Sequence, residues 1–232
     1  MPLTSLLART YLRYVIPVTM LSALVFSPLL YLALRVPVPG DLGQVNGVVR
    51  TAWLLAGLSL VPLLILVGGV APAVRSIASG APASQLAVLK EGAVSLVRAV
   101  LPVGISLLAM LMGSLALALP GIALFVLLSL TGATGAPDRD LSARLAASVS
   151  AARANLAAVA LVLVATIAIT IGALYFLQRA LPMPIPKAPS PELLATFRLF
   201  ARYAVAGIAL VAPLPAIALA ALATRASPSV RT

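Results

Sequence analysis

The acidic side chains are the first place to look for chemistry in this sequence, because its 232 residues include neither histidine nor cysteine. Zinc sites, thiol nucleophiles and serine–histidine relays are built on those two residue types and cannot be assembled here. The acidic residues number five and all lie outside the long apolar runs: Asp41, Glu91, Asp138, Asp140 and Glu192. Asp138 and Asp140 could form a metal-binding or acid–base pair, but acids beside Arg139 at a helix start are an ordinary structural feature. We therefore predict no catalytic residue, no metal site, no cofactor and no enzymatic activity.

Basic side chains are the remaining groups with a clear chemical preference. The chain carries 16 lysines and arginines and a net charge of +11, and nearly all of these residues lie between apolar runs. Nucleic-acid-binding proteins gather basic residues on a soluble face, whereas membrane proteins place them beside the spans, where they meet anionic lipids. We predict membrane lipids with anionic head groups as partners, and no nucleic acid. A protein partner or a second copy of the chain is a further expectation.

The composition of the chain indicates a protein that lies in lipid. Hydrophobic residues make up 62% of the chain and charged residues only 9%. The mean hydropathy is +1.15. So little polar surface cannot cover a water-soluble globule. We expect one integral membrane domain over residues 1–232 and an all-α fold, because a helix satisfies its own backbone groups in lipid.

The charge-free runs predict about six transmembrane helices, arranged as three hairpins. A span needs about 20 apolar residues to cross a hydrocarbon core roughly 30 Å thick. The predicted spans cover residues 14–34, 51–74, 99–119, 121–136, 154–178 and 203–224. The first follows two arginines, as in a signal peptide, but its apolar run is longer than a typical signal core and lacks a convincing cleavage site. We interpret it as an uncleaved span.

The run from Ala99 to Ala136 contains 38 residues and could be one long span or two short ones. Its length does not decide between them, because two full spans and a turn need slightly more than about 40 residues. If the chain reverses, Pro120 and Gly121 are the expected hairpin apex, since proline blocks the incoming helix and glycine permits a tight turn.

An internal repeat favours the hairpin. Residues 80–101, "GAPASQLAVLKEGAVSLVRAVL", align without gaps with residues 135–156, "GAPDRDLSARLAASVSAARANL". Each copy contains a turn, a helical segment, an arginine (Arg98 or Arg153) and then a span. Equivalent segments on the same membrane face require the chain between them to cross and return.

The distribution of basic residues supports the same topology. With six spans, ten lie on one side: Arg9, Arg13, Arg75, Lys90, Arg98, Arg139, Arg144, Arg153, Arg225 and Arg231. The six on the other side are Arg35, Arg50, Arg179, Lys187, Arg198 and Arg202. A five-span alternative divides them more evenly. We therefore predict a multi-pass protein of the bacterial inner membrane with both termini in the cytoplasm.

The segments before the third and fifth spans are predicted to be short amphipathic interfacial helices, or else cytoplasmic extensions of those spans. Their basic residues are the predicted contacts with lipid head groups: Arg75, Lys90, Arg98, Arg139, Arg144 and Arg153. Within the spans, Pro62, Pro213 and Pro215 are predicted to break helices, because proline removes a backbone hydrogen bond.

The order "LPGIALFVLLSL", a polar turn and "LAASVSAARANLAAVALVL" resembles the bacterial six-span proteins related to the membrane domain of glycerophosphoryl diester phosphodiesterase and the YciC-type proteins. The matching positions are Pro120, Gly121, Ile122, Ser148, Arg153 and Asn155. The sequence departs from the family pattern at Leu127, Val149 and Ala154. The resemblance implies a multi-pass inner-membrane protein whose membrane part has no recognised catalytic residues.

Two functions are compatible with these patterns. The first is a non-catalytic membrane protein that acts as a scaffold, a lipid-interacting protein or a membrane subunit of a complex. The second is a permease or transporter component for an uncharged or lipid-like substrate. A closed, tightly packed bundle would favour the first function, and a polar or lipid-sized cavity bounded by Pro62 and Pro213 would favour the second.

Overall fold

The computed structural model of the chain describes residues 2–40, 42–116, 118–134, 140–180 and 191–226. Every regular element in those ranges is an α-helix, as predicted. The nine helices are α1 (Leu3–Arg35), α2 (Leu42–Leu58), α3 (Leu60–Ala78), α4 (Gln85–Ala116), α5 (Ala118–Leu128), α6 (Leu141–Ala154), α7 (Leu156–Ala180), α8 (Pro191–Val211) and α9 (Pro213–Ala226).

Helices α3 and α9 form the centre of the molecule. They pack against each other and both contact α1, while α4 lies against α3 and α7 against α9. Almost all side chains from Pro62 to Val74 in α3 are buried. The outer helix α7 instead exposes large apolar side chains such as Leu161, Val164 and Phe176. Lipid can cover such a surface, whereas water would leave a large apolar patch exposed.

Five helical segments, rather than the predicted six, are long and apolar enough to cross a membrane. Among the described residues they are Leu3–Arg35, Gln44–Ala78, Gln85–Leu115, Leu156–Ala180 and Leu194–Ala226. The predicted span 121–136 is not one of them, because α5 has only 11 residues and ends at Leu128. A helix of that length covers about 16 Å, roughly half of a hydrocarbon core. Residues 135 and 136, at the end of the predicted span, lie outside the described residues.

Helix α5 nevertheless runs back along α4. A Cβ atom added to Gly113 would lie 3.2 Å from the Gly121 Cα atom, so the two backbones are in close contact. Further from the reversal, Ser106 Oγ on α4 donates to Thr131 Oγ1 at 3.3 Å. The pairing of 113 with 121 and of 106 with 131 shows that the two segments are antiparallel.

The predicted apex residues, Pro120 and Gly121, lie in the first turn of α5. Helix α4 ends at Ala116 and α5 begins at Ala118, and residue 117 is outside the described residues. A Cβ atom on Gly121 would come within 2.9 Å of the Ser114 Cα atom. Gly121 therefore permits the close approach of α4 and α5.

A buried turn, residues 129–134, follows α5. A helix that ends inside a protein needs partners for its last carbonyl groups. Within the turn, Ser129 Oγ donates to the Val126 carbonyl at 2.8 Å, and Thr131 Oγ1 donates to the Leu128 carbonyl at 2.5 Å. The Leu127 carbonyl accepts a hydrogen bond from Ser148 Oγ of α6 at 2.9 Å. The last three carbonyls of α5 are therefore satisfied without water.

The two predicted linker helices differ in form. The first is continuous with the following span, because α4 runs unbroken from Gln85 to Ala116. The second, α6, is a separate helix that ends at Asn155, where φ is −131° and ψ is 31°. Helix α1 has a similar kink at Tyr14, with φ −116° and ψ 27°. The buried Tyr14 hydroxyl holds this kink against the turn after α3, because it donates to the Ala83 carbonyl at 3.0 Å.

The break between α8 and α9 is stabilised by a side chain of α1. Pro213 has no amide hydrogen, so it cannot donate to the Ala209 carbonyl as a regular helix would require. Ser22 Oγ donates to that carbonyl instead, at 2.5 Å, and Ser22 is buried. The hydroxyl of one span thus replaces the backbone donor that another span has lost.

Replacing Ser22 by alanine is expected to lower the free energy of unfolding by about 1 kcal/mol, the usual worth of a buried hydrogen bond in a membrane protein. In a Pro213→Ala background the loss should be smaller, because the alanine amide donates to the same carbonyl. Reversible unfolding in mixed micelles, followed by circular dichroism, measures both values. Ser27→Ala is the control, since Ser27 is exposed and bonds only within α1. Equal losses in the two backgrounds would contradict the replacement of the missing donor.

Candidate functional site

A pocket of about 640 Å³ lies where α3, α4, the buried turn and α6 meet. We call it the basic pocket, because four basic residues line it together with one acid. They are Arg75 of α3, Lys90 and Arg98 of α4, Arg144 of α6 and the acid Glu91. Small and hydroxyl residues, among them Gly68, Ser76 and Ser95, complete the walls. The pocket therefore combines a large excess of positive charge with room for a polar group.

Arg144 is the most constrained of these side chains. Its Nη1 donates to the Arg98 carbonyl at 3.3 Å, and its buried Nε has no hydrogen-bond acceptor in the part of the chain that the structure describes. Burial, and then the positive charge of Arg98, lowers the pKa of Arg144 below its usual value. The guanidinium remains charged at neutral pH. Holding this charge beside Arg98 is unfavourable until an anion neutralises it.

Two hydroxyl contacts position α6, and with it Arg144, beside the pocket. Thr134 Oγ1 in the buried turn donates to the Arg144 carbonyl at 3.3 Å. Ser148, one turn further along α6, donates to the Leu127 carbonyl as described above. The short helix α5 and the buried turn therefore fix the position of α6, which contributes Arg144 to the wall of the basic pocket.

Four of the six predicted head-group contacts come together in this pocket. Arg153 lies in the last turn of α6, is exposed and does not line the pocket. Arg139 lies outside the described residues. Glu91 and the glycines and serines of the walls were not among the predicted contacts. Glu91, Ser95 and Arg98 recur at helical spacing and therefore share one polar face of α4, whereas the spacing of the wall glycines does not set them apart from other small residues of the chain.

A second basic cleft lies next to the end of α3. It has a volume of about 480 Å³ and is lined by Arg9 and Arg13 of α1 together with Ile77, Gly80 and Pro82. Ile77 follows Arg75 of the basic pocket on the same helix, so the two clefts share one end of the molecule. Six of the ten basic residues that were predicted to share a membrane face with the N-terminus line these two clefts: Arg9, Arg13, Arg75, Lys90, Arg98 and Arg144.

Some arginines elsewhere in the chain contact other groups of the protein. Arg35 lies over the Tyr31 ring, 5.0 Å from its centroid, and Arg179 lies over the Tyr175 ring at 5.2 Å. Arg202 Nη2 donates to the Leu34 carbonyl at 3.1 Å, although the Nε atoms of Arg198 and Arg202 are buried without an acceptor among described residues. Neither residue lines the basic pocket. The basic pocket differs because four cations share one accessible space.

A second cavity, of about 530 Å³, is bounded by α2, α3, α7, α8 and α9. We call it the apolar cavity, since most of its walls are alanine, leucine, isoleucine and valine. Both helix breaks border it, at Ser59 between α2 and α3 and at Ala212 between α8 and α9. Of the three prolines predicted to break helices, Pro62 lies just after the first break and Pro213 directly after the second. Pro215 lies within α9 and lines the cavity.

The two cavities offer different chemistry. In the described ranges no group of three or more acids is placed to hold a metal ion. The basic pocket can bind an anion through charge-assisted hydrogen bonds, and arginine is well suited to the oxygens of a phosphate. The apolar cavity can take up a hydrocarbon body. The chain matches no protein-family model, no curated protein and no solved structure.

Proposed function

We propose that this protein is a non-catalytic multi-pass protein of the bacterial inner membrane that binds anionic lipid head groups in the basic pocket. In this role it acts as a lipid-interacting protein, a scaffold or the membrane subunit of a complex. The observation that supports the proposal is the convergence of Arg75, Lys90, Arg98 and Arg144 on one pocket, in which Glu91 is the one carboxylate among the described residues. The six-span family resemblance implies the same kind of protein.

The charge of the pocket favours a phosphate group as the ligand. Among the described residues of the pocket, four cations and one carboxylate leave an excess of three positive charges, which an uncharged ligand would not relieve. Arginine presents a planar fork of donors that matches phosphate oxygens, and lysine adds a compact charge. The buried Nε of Arg144 is a donor that already lacks an acceptor. A phosphodiester head group supplies both the charge and the acceptors.

The orientation that we propose follows from the same residues. Basic residues are enriched on the cytoplasmic side of inner-membrane proteins, where anionic lipids also attract them. We therefore place the basic pocket and both termini at the cytoplasmic face. In this orientation the pocket lies at the depth of the head groups, and the exposed apolar side chains of α7 face the acyl chains.

The lipids that purify with the protein test the head-group proposal. In a mild detergent, wild-type protein extracted from bacterial membranes should retain anionic phospholipid, counted by native mass spectrometry. Changing Arg75 and Arg98 together to glutamine should lower this retention at least about tenfold, because each charge-assisted hydrogen bond contributes about 1.5–3 kcal/mol. The matched control changes Arg35 and Arg179, which pair with tyrosines, to glutamine. Equal retention by both double variants would overturn the proposal.

The apolar cavity favours a second candidate function, that of a permease component for an uncharged or lipid-like substrate. Paired broken helices in corresponding positions are typical of transporter binding sites. Here the breaks at Ser59 and Ala212 both border a cavity of about 530 Å³. Its volume falls within the range of small-molecule sites, about 300–1,000 Å³. This function would need the protein to move a ligand, as well as to bind it.

A further inference from the structure

The polar residues of the apolar cavity have already used their hydrogen-bond donors. Four side chains in its walls can donate: Trp53, Ser59, Thr166 and Thr170. Ser59 Oγ donates to the Ala56 carbonyl, Thr166 Oγ1 to that of Val162 at 2.6 Å, Thr170 Oγ1 to that of Thr166 at 2.8 Å, and Trp53 Nε1 to Gln178 Oε1 at 3.1 Å. A hydroxyl group has one hydrogen, so none of these side chains has a second proton to give.

Acceptors, by contrast, remain. Each of the three hydroxyl oxygens keeps lone pairs after its own hydrogen has been donated. Pro215 has no amide hydrogen, and in a regular helix that hydrogen would bond to the Val211 carbonyl. Both Pro215 and Val211 line the cavity. In the part of the chain that the structure describes, the cavity thus presents acceptor oxygens and no free side-chain donor.

The remaining walls limit the ligand further. None of the described residues that line the cavity is charged. A carboxylate or phosphate placed here would lose its hydration and find neither a cation nor a donor, which is strongly unfavourable. An ester or ketone would bring only acceptors to a site of acceptors. A hydroxyl group is the simplest polar group that complements this lining.

The position of the cavity between two similar helix breaks supports a ligand site. The stretch before the first break and the proline after it, "AGLSLVP" at 56–62, resembles "AGIALVAP" at 206–213. Helix α2 packs against α8 and α3 against α9, so the two broken helices lie side by side. Interrupted helices in corresponding positions are where membrane proteins expose backbone acceptors to a bound molecule.

We propose that the apolar cavity binds a lipid alcohol, an uncharged molecule with a hydrocarbon body and one hydroxyl group that donates to the acceptors of Thr166, Thr170 or Val211. This site is separate from the basic pocket and does not depend on head-group binding there. The hydrocarbon body lies against the leucine, isoleucine and valine side chains of α3, α7 and α8.

A pair of photoactivatable probes tests this assignment. The first is a long-chain primary alcohol with a diazirine in the chain, and the second is its methyl ether, which has the same length and no donor. Wild-type protein in micelles should be labelled at cavity residues about three- to tenfold more by the alcohol, as expected for one neutral hydrogen bond. Mass spectrometry of proteolytic peptides locates the label.

Two glycines provide matched variants. Gly57 lines the cavity, Gly172 does not, and neither has an atom within 4 Å of an added Cβ. Gly57→Phe should fill the cavity and reduce labelling by the alcohol at least about fivefold, whereas Gly172→Phe should leave it unchanged. Thr166→Val should reduce the preference for the alcohol over the ether without closing the cavity.

Equal labelling of the wild type by alcohol and ether would overturn the proposal, because any hydrocarbon would then fill the cavity. Labelling that survives Gly57→Phe would also overturn it. If Gly57→Phe does not fold, competition in the wild type decides: unlabelled alcohol must displace the probe, and unlabelled ether must displace it less. Anionic-lipid retention measured on the same samples shows separately whether the basic pocket functions.

Discussion

Replacing Arg144 by methionine is expected to make the lipid-free protein more stable and to remove most of its stabilisation by anionic lipid. The first effect follows from burial and from the neighbouring charge of Arg98, which lower the pKa of Arg144 in the folded protein. At every pH below that lowered pKa the guanidinium is charged, so its charge opposes folding across the accessible range. The gain should stay below about 1 kcal/mol, since solvent screens a partly exposed group.

The second effect of this substitution is larger. A ligand that binds only the folded state adds about 2.7 kcal/mol of stability when its concentration is a hundred times Kd. Without Arg144 the pocket loses the guanidinium whose Nε lacks an acceptor in the described structure. We expect the stabilisation by anionic lipid to fall by about 1.5–3 kcal/mol, the usual worth of a hydrogen bond to a charged group.

Unfolding of the two proteins in micelles with and without anionic phospholipid measures both effects. Arg153→Met is the matched control, because Arg153 lies on the same helix, is exposed and does not line the pocket. The control should change neither value by more than about 0.5 kcal/mol. If Arg144→Met lowers the stability of the lipid-free protein, the hydrogen bond from Arg144 to the Arg98 carbonyl outweighs the cost of the buried charge, and the pocket does not need an anion.

Replacing Gly68 by alanine is expected to destabilise the protein by about 2 kcal/mol. The added Cβ atom would lie 2.7 Å from the Ala99 Cβ atom and 2.7 Å from the Gly132 carbonyl oxygen. These atoms belong to helix α4 and to the buried turn, so no flexible side chain can move aside. Overpacking of this kind typically costs about 1–3 kcal/mol, partly offset by the better helix propensity of alanine.

Gly104→Ala in α4 provides the control, because an added Cβ atom there has no atom within 4 Å. This variant should gain up to about 1 kcal/mol from helix propensity alone. If the buried turn packs against α3, unfolding in mixed micelles should show that Gly68→Ala lowers the free energy of unfolding and that Gly104→Ala raises it. Similar stabilities would contradict the contact between Gly68 and Gly132.

The helices were predictable from sequence because a backbone in lipid must satisfy its own hydrogen bonds. The run around Pro120 was not predictable in the same detail. Leu128 ends helix α5 and Leu130 lies in the turn, yet both are buried. The apolar composition of residues 121–136 therefore could not distinguish a span from a short helix followed by a buried turn.

The sequence predicted which regions contain helix breaks, but it was less accurate about the residues at which the helices are interrupted. Proline deprives the residue four positions earlier of its donor, so the irregularity falls before the proline. Accordingly, the breaks occur at Ser59, ahead of Pro62, and at Ala212, ahead of Pro213. Pro215 lies too close to Pro213 to create another break, and α9 continues through it.

The sequence predicted the basic residues of the pocket, but it did not predict the hydrogen bonds that position its walls. Arg75, Lys90, Arg98 and Arg144 stood out because charged residues are rare in this chain and flank its apolar runs. The serines that hold the walls have no such signature. Ser148 finds the Leu127 carbonyl, and Ser22 finds that of Ala209, only after distant segments have packed together.

The short helix α5 also has a consequence for how the chain enters the membrane. Its 11 residues cannot span the bilayer alone, and its final carbonyls depend on Ser129, Thr131 and Ser148. Ser148 emerges from the ribosome after α5, so the segment cannot complete its bonds when it is first synthesised. We therefore expect this part of the protein to complete its integration only after α6 has been synthesised.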